Sequence, residues 1–256
     1  MAIRQLIPVL PLLCCVALGS CKKELSASGN PTTIELVFTD KFELGPLVLG
    51  TTYVDPDFGE PFSVSVFKYY ISNVQLISKN GATVNIPSIY HLVDAADTTT
   101  GIVSFPAAAD SLVAISFLVG VDSTRDLNGP RTGDLDPAKG MFLSPSAGYI
   151  MADLEGSSPA STQPGFSFTY KIEGFNGPDN TVRKVTLALP GLPVTLNPIL
   201  PDTVQISIDA DLAKWFSSAH DLPINPNSVC ITPGPLAAQY ADNYAQMFIA
   251  RNVQVK

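Results

Sequence analysis

Hydrophobic and polar residues alternate along most of the chain from residue 34 onward. The alternating or β-branched segments, each of strand length, lie at 34–38, 62–77, 83–86, 89–94, 112–121, 166–174, 182–191 and 203–209. A period of two places every second side chain on one face, as in a half-buried strand. Asn80-Gly81 separates the second segment from the third, and this pair is typical of a tight hairpin turn. Because no long helix separates the segments, the pattern predicts an all-β fold, an antiparallel β-sandwich or barrel-like domain.

Two segments have the periodicity of helices instead. In residues 236–251 the side chains that recur on one helical face are Leu236, Tyr240, Tyr244, Met247 and Phe248. Pro233-Gly234-Pro235 suits the start of this helix. The shorter segment, 211–216, contains Trp215, which is the only tryptophan. We expect a C-terminal α-helix packed on the β domain through its aromatic stripe, and Trp215 in the core.

The first residues have the features of a secretion signal, because Arg4 precedes an apolar stretch that ends in small residues. Leu18-Gly19-Ser20-Cys21 resembles the lipobox of bacterial lipoproteins, which implies that Cys21 is lipidated; an ordinary signal peptide cut nearby is the alternative. We therefore expect an extracytoplasmic lipoprotein anchored to a bacterial envelope membrane, on the periplasmic side or at the cell surface. The expected organisation is a lipoprotein signal peptide, a lipidated cysteine with a flexible tether, and one β domain, at 1–20, 21–31 and 32–256.

Composition narrows the function classes. The formal net charge of −8 disfavours nucleic acid as a partner. Only Cys230 lies beyond the signal and the lipobox, so an intrachain disulfide is excluded and stability has to come from a hydrophobic core. The chain lacks the motifs that position a catalytic serine, a zinc ion or a phosphate. A pair of carboxylates that hydrolyses a glycoside stays open, but we expect a protein that is not an enzyme.

One segment, 120–141, concentrates oxygen-bearing side chains between glycines. These side chains are Asp122, Asp126, Asn128, Asp134 and Asp136. Calcium prefers such oxygen ligands. The segment is not an EF-hand, because Thr124 stands at the first ligand position and Leu135 at the twelfth. The alternative is that these residues form turns and helix caps, with nearby arginines and a lysine balancing their charge.

Segments spread over most of the chain carry a resemblance to a known family. They read FGEPFSVSVFKYYISNVQLIS (58–78), YHLVDA (90–95), SFLVGVD (116–122), GDLDPAKGMF (133–142), GYIMADLEG (148–156), FSFTYKIEG (166–174) and ADNYAQMF (241–248). In this order they resemble the MbnP-like copper-binding proteins. The resemblance implies an extracytoplasmic all-β domain. It also implies a copper site of histidines and an oxidised tryptophan, made by a di-haem partner related to cytochrome c peroxidases.

The chain departs from that family at positions that would carry the copper chemistry. Leu143 and Pro145 stand where tryptophans are usual, Lys171 stands where a histidine is common, and Asn252 and Gln254 replace histidines in the tail. Copper binds imidazole, thiolate or thioether groups. The departures predict that no site with an oxidised tryptophan forms.

Two histidines, His91 and His220, are the nitrogen ligands that remain for copper. Strand alternation places His91 and Asp94 on opposite faces, which argues against a catalytic pair. His220 lies in a predicted loop beside Asp221 and joins a metal site only if the fold brings further ligands to it. The resemblance thus implies copper binding or handling. The alternative is a non-catalytic surface lipoprotein that binds a glycan, a peptide or a protein.

Overall fold

The computed structural model describes residues 32–107, 111–126, 131–191, 193–195 and 203–256. The predictions for the signal peptide, the tether, Cys21 and Asn128 fall outside these residues. That residues 32–256 form one domain stays a prediction.

Strands dominate the described residues. They are β1 (Thr32–Phe42), β2 (Gly45–Pro46), β3 (Thr52–Val54), β4 (Pro61–Ser78), β5 (Thr83–Asp94), β6 (Ile102–Ala107), β7 (Ser111–Val119), β8 (Phe142–Ser144), β9 (Gly148–Tyr149), β10 (Ala152–Ser157), β11 (Ser167–Ile172), β12 (Arg183–Ala188), β13 (Val194–Thr195), β14 (Thr203–Asp211), β15 (Val229–Cys230) and β16 (Phe248–Val255). The α-helices are α1 (Ser123–Asp126), α2 (Ala213–Phe216) and α3 (Pro235–Tyr244). Single 3₁₀ turns lie at Thr98–Gly101, Gly133–Leu135, Pro137–Lys139 and Pro164–Phe166.

Two mixed sheets form a curled half-barrel. The smaller has the order β16-β14-β1, with β2 and β6 both paired to β1. The larger has the order β12-β7-β4-β10-β11-β15, with β13 on β7 and with β3 and β5 on β4. The predicted β-rich, barrel-like fold is confirmed. Most pairs are antiparallel as predicted, but β1 runs parallel to β14 and β11 to β15, because these partners are joined by long excursions rather than by hairpins.

The main core lies between the two sheets, and strand alternation builds it. Ile34, Leu36 and Phe38 point inward from β1, and polar or half-buried residues alternate with them. The 18-residue strand β4 pairs with β3, β5, β7 and β10 and contributes Phe67 and Tyr69 to the same core. The cysteine among the described residues, Cys230, forms no disulfide, so such continuous apolar burial is the dominant stabilising term of the described part.

The predicted hairpin at Asn80-Gly81 is confirmed. Ser78 donates its amide to the carbonyl of Ala82 at 2.8 Å, and β4 pairs with β5 immediately beyond the turn. Gly81 has φ +81°, a left-handed conformation that a residue with a Cβ adopts only with strain.

The C-terminal helix exists, but it is shorter than the periodicity predicts. It ends at Tyr244, and the chain then becomes an edge strand at Phe248 instead of continuing as helix to residue 251. Pairing of β16 with β14 satisfies the backbone of this segment and overrides its helical pattern. Tyr240 and Tyr244 are fully buried as predicted, and so is Trp215. None of the helices among the described residues is long and apolar enough to cross a membrane.

A second hydrophobic cluster forms where residues 121–126 and 131–151 lie against the larger sheet. We call it the outer cluster; its buried members are Tyr70, Leu92, Val121, Leu135, Met141, Tyr149, Ile150 and Met151. Tyr70 and Tyr149 tie it to the acidic segment, because their hydroxyls donate to the carbonyls of Asp134 and Leu135 at 2.9 and 2.8 Å. The acidic segment is therefore held against the sheet at defined positions.

Candidate functional site

His91 and Asp134 form one of the two histidine–carboxylate pairs of the described chain. His91 lies on β5, and Nδ1 of its ring is 2.9 Å from Oδ2 of Asp134. Its Nε2 is 2.6 Å from the carbonyl oxygen of Thr100. Both neighbours accept hydrogen bonds, and a neutral imidazole donates from only one nitrogen. Both ring nitrogens of His91 are therefore occupied by protein oxygens, and the ring has to give up one of these contacts before a nitrogen can bind a metal.

The contact with His91 also affects the pKa of the Asp134 carboxylate. The hydrogen bond from His91 is the largest influence and holds the pKa of Asp134 below its usual range. The amide of Leu92 adds a longer bond of 3.3 Å to the same oxygen. As the alternation of β5 predicts, His91 does not pair with Asp94, whose carboxylate instead bonds Lys68 at 2.9 Å. The partner of His91 comes from 43 positions further along the chain, so local sequence does not reveal it.

Asp122 is a hydrogen-bond centre directly after β7. One carboxylate oxygen accepts bonds from the amide and hydroxyl of Thr124, and the other accepts from the Tyr90 hydroxyl and from Asn73 Nδ2 at 2.9 Å. Burial raises the pKa of Asp122, but these hydrogen bonds outweigh it and the pKa lies below its usual range. Burial and then Asp122 raise the pKa of Tyr90 to about 12, and Arg125 covers the Tyr90 ring at 5.0 Å.

The other members of the acidic segment have different positions. Asp136 accepts from the amide of Ala138 at 2.9 Å and so caps the following 3₁₀ turn. Asp126 ends α1, and its side chain and Asn128 fall outside the described part. Among the described side chains, no three His, Cys, Asp or Glu groups are arranged to hold a metal ion. The turn-and-cap interpretation accounts for the contacts of Asp122 with Thr124 and of Asp136 with Ala138, whereas Asn73 and Tyr90 bond Asp122 from β4 and β5.

His220 is held in the loop between α2 and β15. Its amide donates to Oδ1 of Asn243 at 2.8 Å, and Asn243 Nδ2 donates to its carbonyl at 2.8 Å. Its ring Nε2 is 2.9 Å from Oδ2 of Asp242, and the other oxygen of Asp242 accepts from Arg183 Nε at 2.7 Å. The His220 side chain is 36% exposed, so the pair faces solvent. His91 and His220 thus have separate carboxylate partners.

Asp242 and Asn243 belong to α3, and sequence reasoning missed both as partners of His220. The hydrophobic stripe of α3 marks its buried face and carries no information on polar contacts across the fold. Burial raises the pKa of Asp242, but the bonds from His220 and Arg183 outweigh this and lower it overall. The neighbour that the sequence suggested, Asp221, accepts from Ser217 instead.

Lys171, at a position where the resemblance leads us to expect histidine, is engaged by two acids. Its Nζ bonds Oδ2 of Asp153 at 2.9 Å and also Glu155. Asp153 is 4% exposed, and its Oδ1 has no hydrogen-bond partner among the described residues. Burial raises the pKa of Asp153 more than Lys171 lowers it. The sequence does not indicate this contact, because the two acids lie on β10 and Lys171 lies on β11.

The remaining positions that depart from the family do not supply copper ligands. Leu143 and Pro145 are exposed beside the β8–β9 turn, and Asn252 and Gln254 are exposed on the edge strand β16. Sulfur donors lie inside the fold. Cys230 is a free, buried thiol, and burial raises its pKa to about 11. The side chains of Met141, Met151 and Met247 are fully buried.

Comparison with known proteins gives a consistent result. A family model for MbnP matches residues 31–232. Among solved structures, MbnP from Methylosinus trichosporium is similar, with 14% sequence identity, a TM-score of 0.50, and coverage of 79% of this chain and 81% of that chain. At this identity the similarity is evidence for the fold alone. A search of curated proteins found no match. The matched range ends before α3 and β16.

Proposed function

Because the chain belongs to the MbnP family, we propose that it is a lipid-anchored, extracytoplasmic, non-catalytic copper-handling protein that binds copper weakly, at the exposed pair of His220 and Asp242. The observation that carries this proposal is the second ring nitrogen of His220. Its Nδ1 has no hydrogen-bond partner among the described residues, whereas Nε2 is engaged by Asp242. Copper accepts imidazole nitrogen together with carboxylate oxygen.

The residues present do not fit a tight mononuclear copper site. Such a site usually takes two or three nitrogen or sulfur ligands. The chain has two histidines, and the ring of His91 has to break a bond to Asp134 or Thr100 before it can bind metal. The thiol and the thioethers are buried in hydrophobic clusters. Weak capture at His220 is what the donor set supports.

Copper titration against a competing chelator tests this proposal. We expect His220→Ala to remove most of the copper binding and His91→Ala to leave it nearly unchanged. His91→Ala is the matched control, since it removes the same ring from a position whose nitrogens are occupied. Melting curves of both variants verify that each is folded. Nanomolar affinity that survives replacement of both histidines would refute this ligand assignment.

The same proposal excludes a tryptophan modified by a di-haem partner. Leu143 and Pro145 occupy the usual tryptophan positions, and Trp215 is fully buried among Phe67, Tyr240 and other rings of the core. Intact-mass analysis of protein from its native envelope should show no added oxygen on Trp215. An oxygen-containing mass increase on this residue would contradict the proposal.

Anchoring rests on Leu18-Gly19-Ser20-Cys21 and is tested separately. Acyl chains contribute about 0.8 kcal/mol per buried methylene, so two or three of them hold a protein firmly on a membrane. Cys21→Ala should move the protein from the membrane fraction to the soluble fraction or stall its processing. Unchanged attachment and processing would argue against lipidation.

A second candidate function, glycan binding by a surface lipoprotein, is favoured by a hollow on the larger sheet whose lining combines polar side chains with apolar ones such as Ile86 and Leu118. The hollow has a volume of about 370 Å³ and is lined by Asn73, Gln75, Asn85 and Lys184 among others. Gln75 links this set, since it bonds Asn85 at 2.8 Å and Lys184 at 2.7 Å. Amide and ammonium groups can exchange such bonds for bonds to sugar hydroxyls. Binding to a glycan array that is lost in Gln75→Ala would support this function over copper handling.

A further inference from the structure

A cavity of about 230 Å³ opens where the smaller sheet meets the end of β5. Strand β1 contributes Asp40 to it, and the segment after β5 closes the opposite side. Apolar walls include Leu47, Val93 and Ile102. Binding sites for small molecules are typically such apolar cavities with a few polar groups that orient the ligand. The cavity is distinct from both histidine pairs and from the hollow on the larger sheet.

The cavity lining includes two carboxylates, Asp40 and Asp94, and of these Asp94 is paired with Lys68. Oδ1 of Asp40 accepts a hydrogen bond from the hydroxyl of the fully buried Tyr69 at 2.9 Å. No lysine or arginine of the described chain forms an ion pair with Asp40. Lys41, which follows it in sequence, pairs with Asp209 at 2.8 Å, and Lys68, which precedes Tyr69, pairs with Asp94 at 2.9 Å.

Asp40 therefore places an unbalanced charge in a largely apolar environment. Burial raises its pKa to about 6, the Tyr69 hydroxyl lowers it, and the nearby charge of Asp94 raises it again. The titratable groups of the described chain that influence it are Tyr69 from β4 and Asp94 from β5. At neutral pH the carboxylate is mostly ionised. Asp40 is partly buried and has no ion-pair partner among the described residues, so a ligand that brings a positive charge would gain a charge-assisted hydrogen bond from it.

We propose that this cavity binds a small organic cation, namely an amine with a short hydrocarbon chain. The ammonium group donates to the free oxygen of Asp40, and the hydrocarbon chain packs against Leu47, Val93 and Ile102. The volume is below the range of about 300–1,000 Å³ that is typical of drug-sized ligands, so the ligand is a small amine. This site goes beyond copper handling and does not depend on it.

Calorimetric titration of the detergent-solubilised full-length protein with n-butylammonium tests the proposal. The neutral probe is butan-1-ol and the anionic probe is butyrate. We expect binding of butylammonium and at least tenfold weaker binding of both other probes. Asp40→Asn keeps the size of the side chain and an acceptor for Tyr69 but removes the charge, and it should weaken butylammonium binding at least tenfold. Asp57→Asn, which removes an exposed carboxylate outside the cavity, is the matched control.

The pH dependence provides a second test that needs no variant. Because the cation requires ionised Asp40, affinity should fall about tenfold between pH 7 and pH 5 for a group with a pKa of about 6. Equal binding of butylammonium and butan-1-ol would show an apolar cavity only. This result would overturn the proposal. So would the absence of butylammonium binding, or an affinity that changes neither in Asp40→Asn nor with pH.

Discussion

Asp122 offers the most direct test of how the acidic segment is used. It fixes the bulge of β4 through Asn73, the edge strand β5 through Tyr90, and the start of α1 through Thr124. In Asp122→Asn, one carboxylate oxygen becomes an amide nitrogen that faces donors instead of accepting from them. Two of the four hydrogen bonds are lost, and the charge that strengthens the others is removed.

The expected loss of stability follows from these bonds. A hydrogen bond to a charged group contributes about 1.5–3 kcal/mol, and a neutral one about 1 kcal/mol. Since Asp122 is only partly buried, we expect Asp122→Asn to lower the free energy of unfolding by about 2 kcal/mol. For a chain of this size that corresponds to a fall in Tm of about 4–8 °C. Asp136→Asn, which disturbs a single cap, should cost about 1 kcal/mol or less.

The pH dependence has a defined sign. The pKa of Asp122 is lower in the folded protein than its ordinary value. Its contribution is therefore complete above that ordinary value and is lost as the pH falls through the folded pKa. Urea unfolding should show the full gap between wild type and variant at pH 7 and a smaller gap below about pH 4. A loss below about 0.5 kcal/mol at pH 7, within the range of ordinary surface substitutions, would refute this role.

Three other results are expected. Millimolar calcium or EDTA should leave Tm unchanged, because protein donors already occupy the oxygens of Asp122; a calcium-dependent rise would restore the calcium-site interpretation. Gly156→Ala should cost about 1–3 kcal/mol in urea unfolding, because a Cβ would lie 2.0 Å from the carbonyl of Ser63, whereas Gly45→Ala, with open space around it, should not. Lys171→Met should destabilise the protein at pH 7 and less at pH 5 in the same assay, because falling pH protonates the buried Asp153, whose pKa is already raised; an equal loss at both would contradict this.

Much of the fold follows from the sequence, because single-strand alternation and turn chemistry are local properties. The strands β1, β4, β5, β7, β11, β12 and β14 coincide with alternating segments. Strand β10 is not among the alternating segments, since its first three residues are all buried and a central strand covered on both faces does not alternate. The periodicity predicts helix for the start of β16, because its first residues continue the apolar period of α3. Its pairing with β14 is a long-range contact that periodicity cannot show.

The candidate site was less predictable for the same reason. His91 and His220 were identifiable as residue types, but their function depends on partners 43 and 22 positions away. Only the folded chain shows that Asp134 and Asp242 are these partners. The sequence restricted the nitrogen donors to two, and the structure then distinguished them by counting the acceptors around each ring.

The three candidate positions for metal ligands share one arrangement, a nitrogen group next to a carboxylate. His91 faces Asp134, His220 faces Asp242, and Lys171 faces Asp153 and Glu155. In each case a carboxylate oxygen already occupies the nitrogen group, which opposes its use as a metal ligand. The opposition is strongest at His91, where a second acceptor occupies the other nitrogen, and at Lys171, which carries no imidazole at all. It is weakest at His220, whose second nitrogen has no partner in the described chain. The proposed copper binding therefore depends on His220, whose ring has one nitrogen without a partner among the described residues.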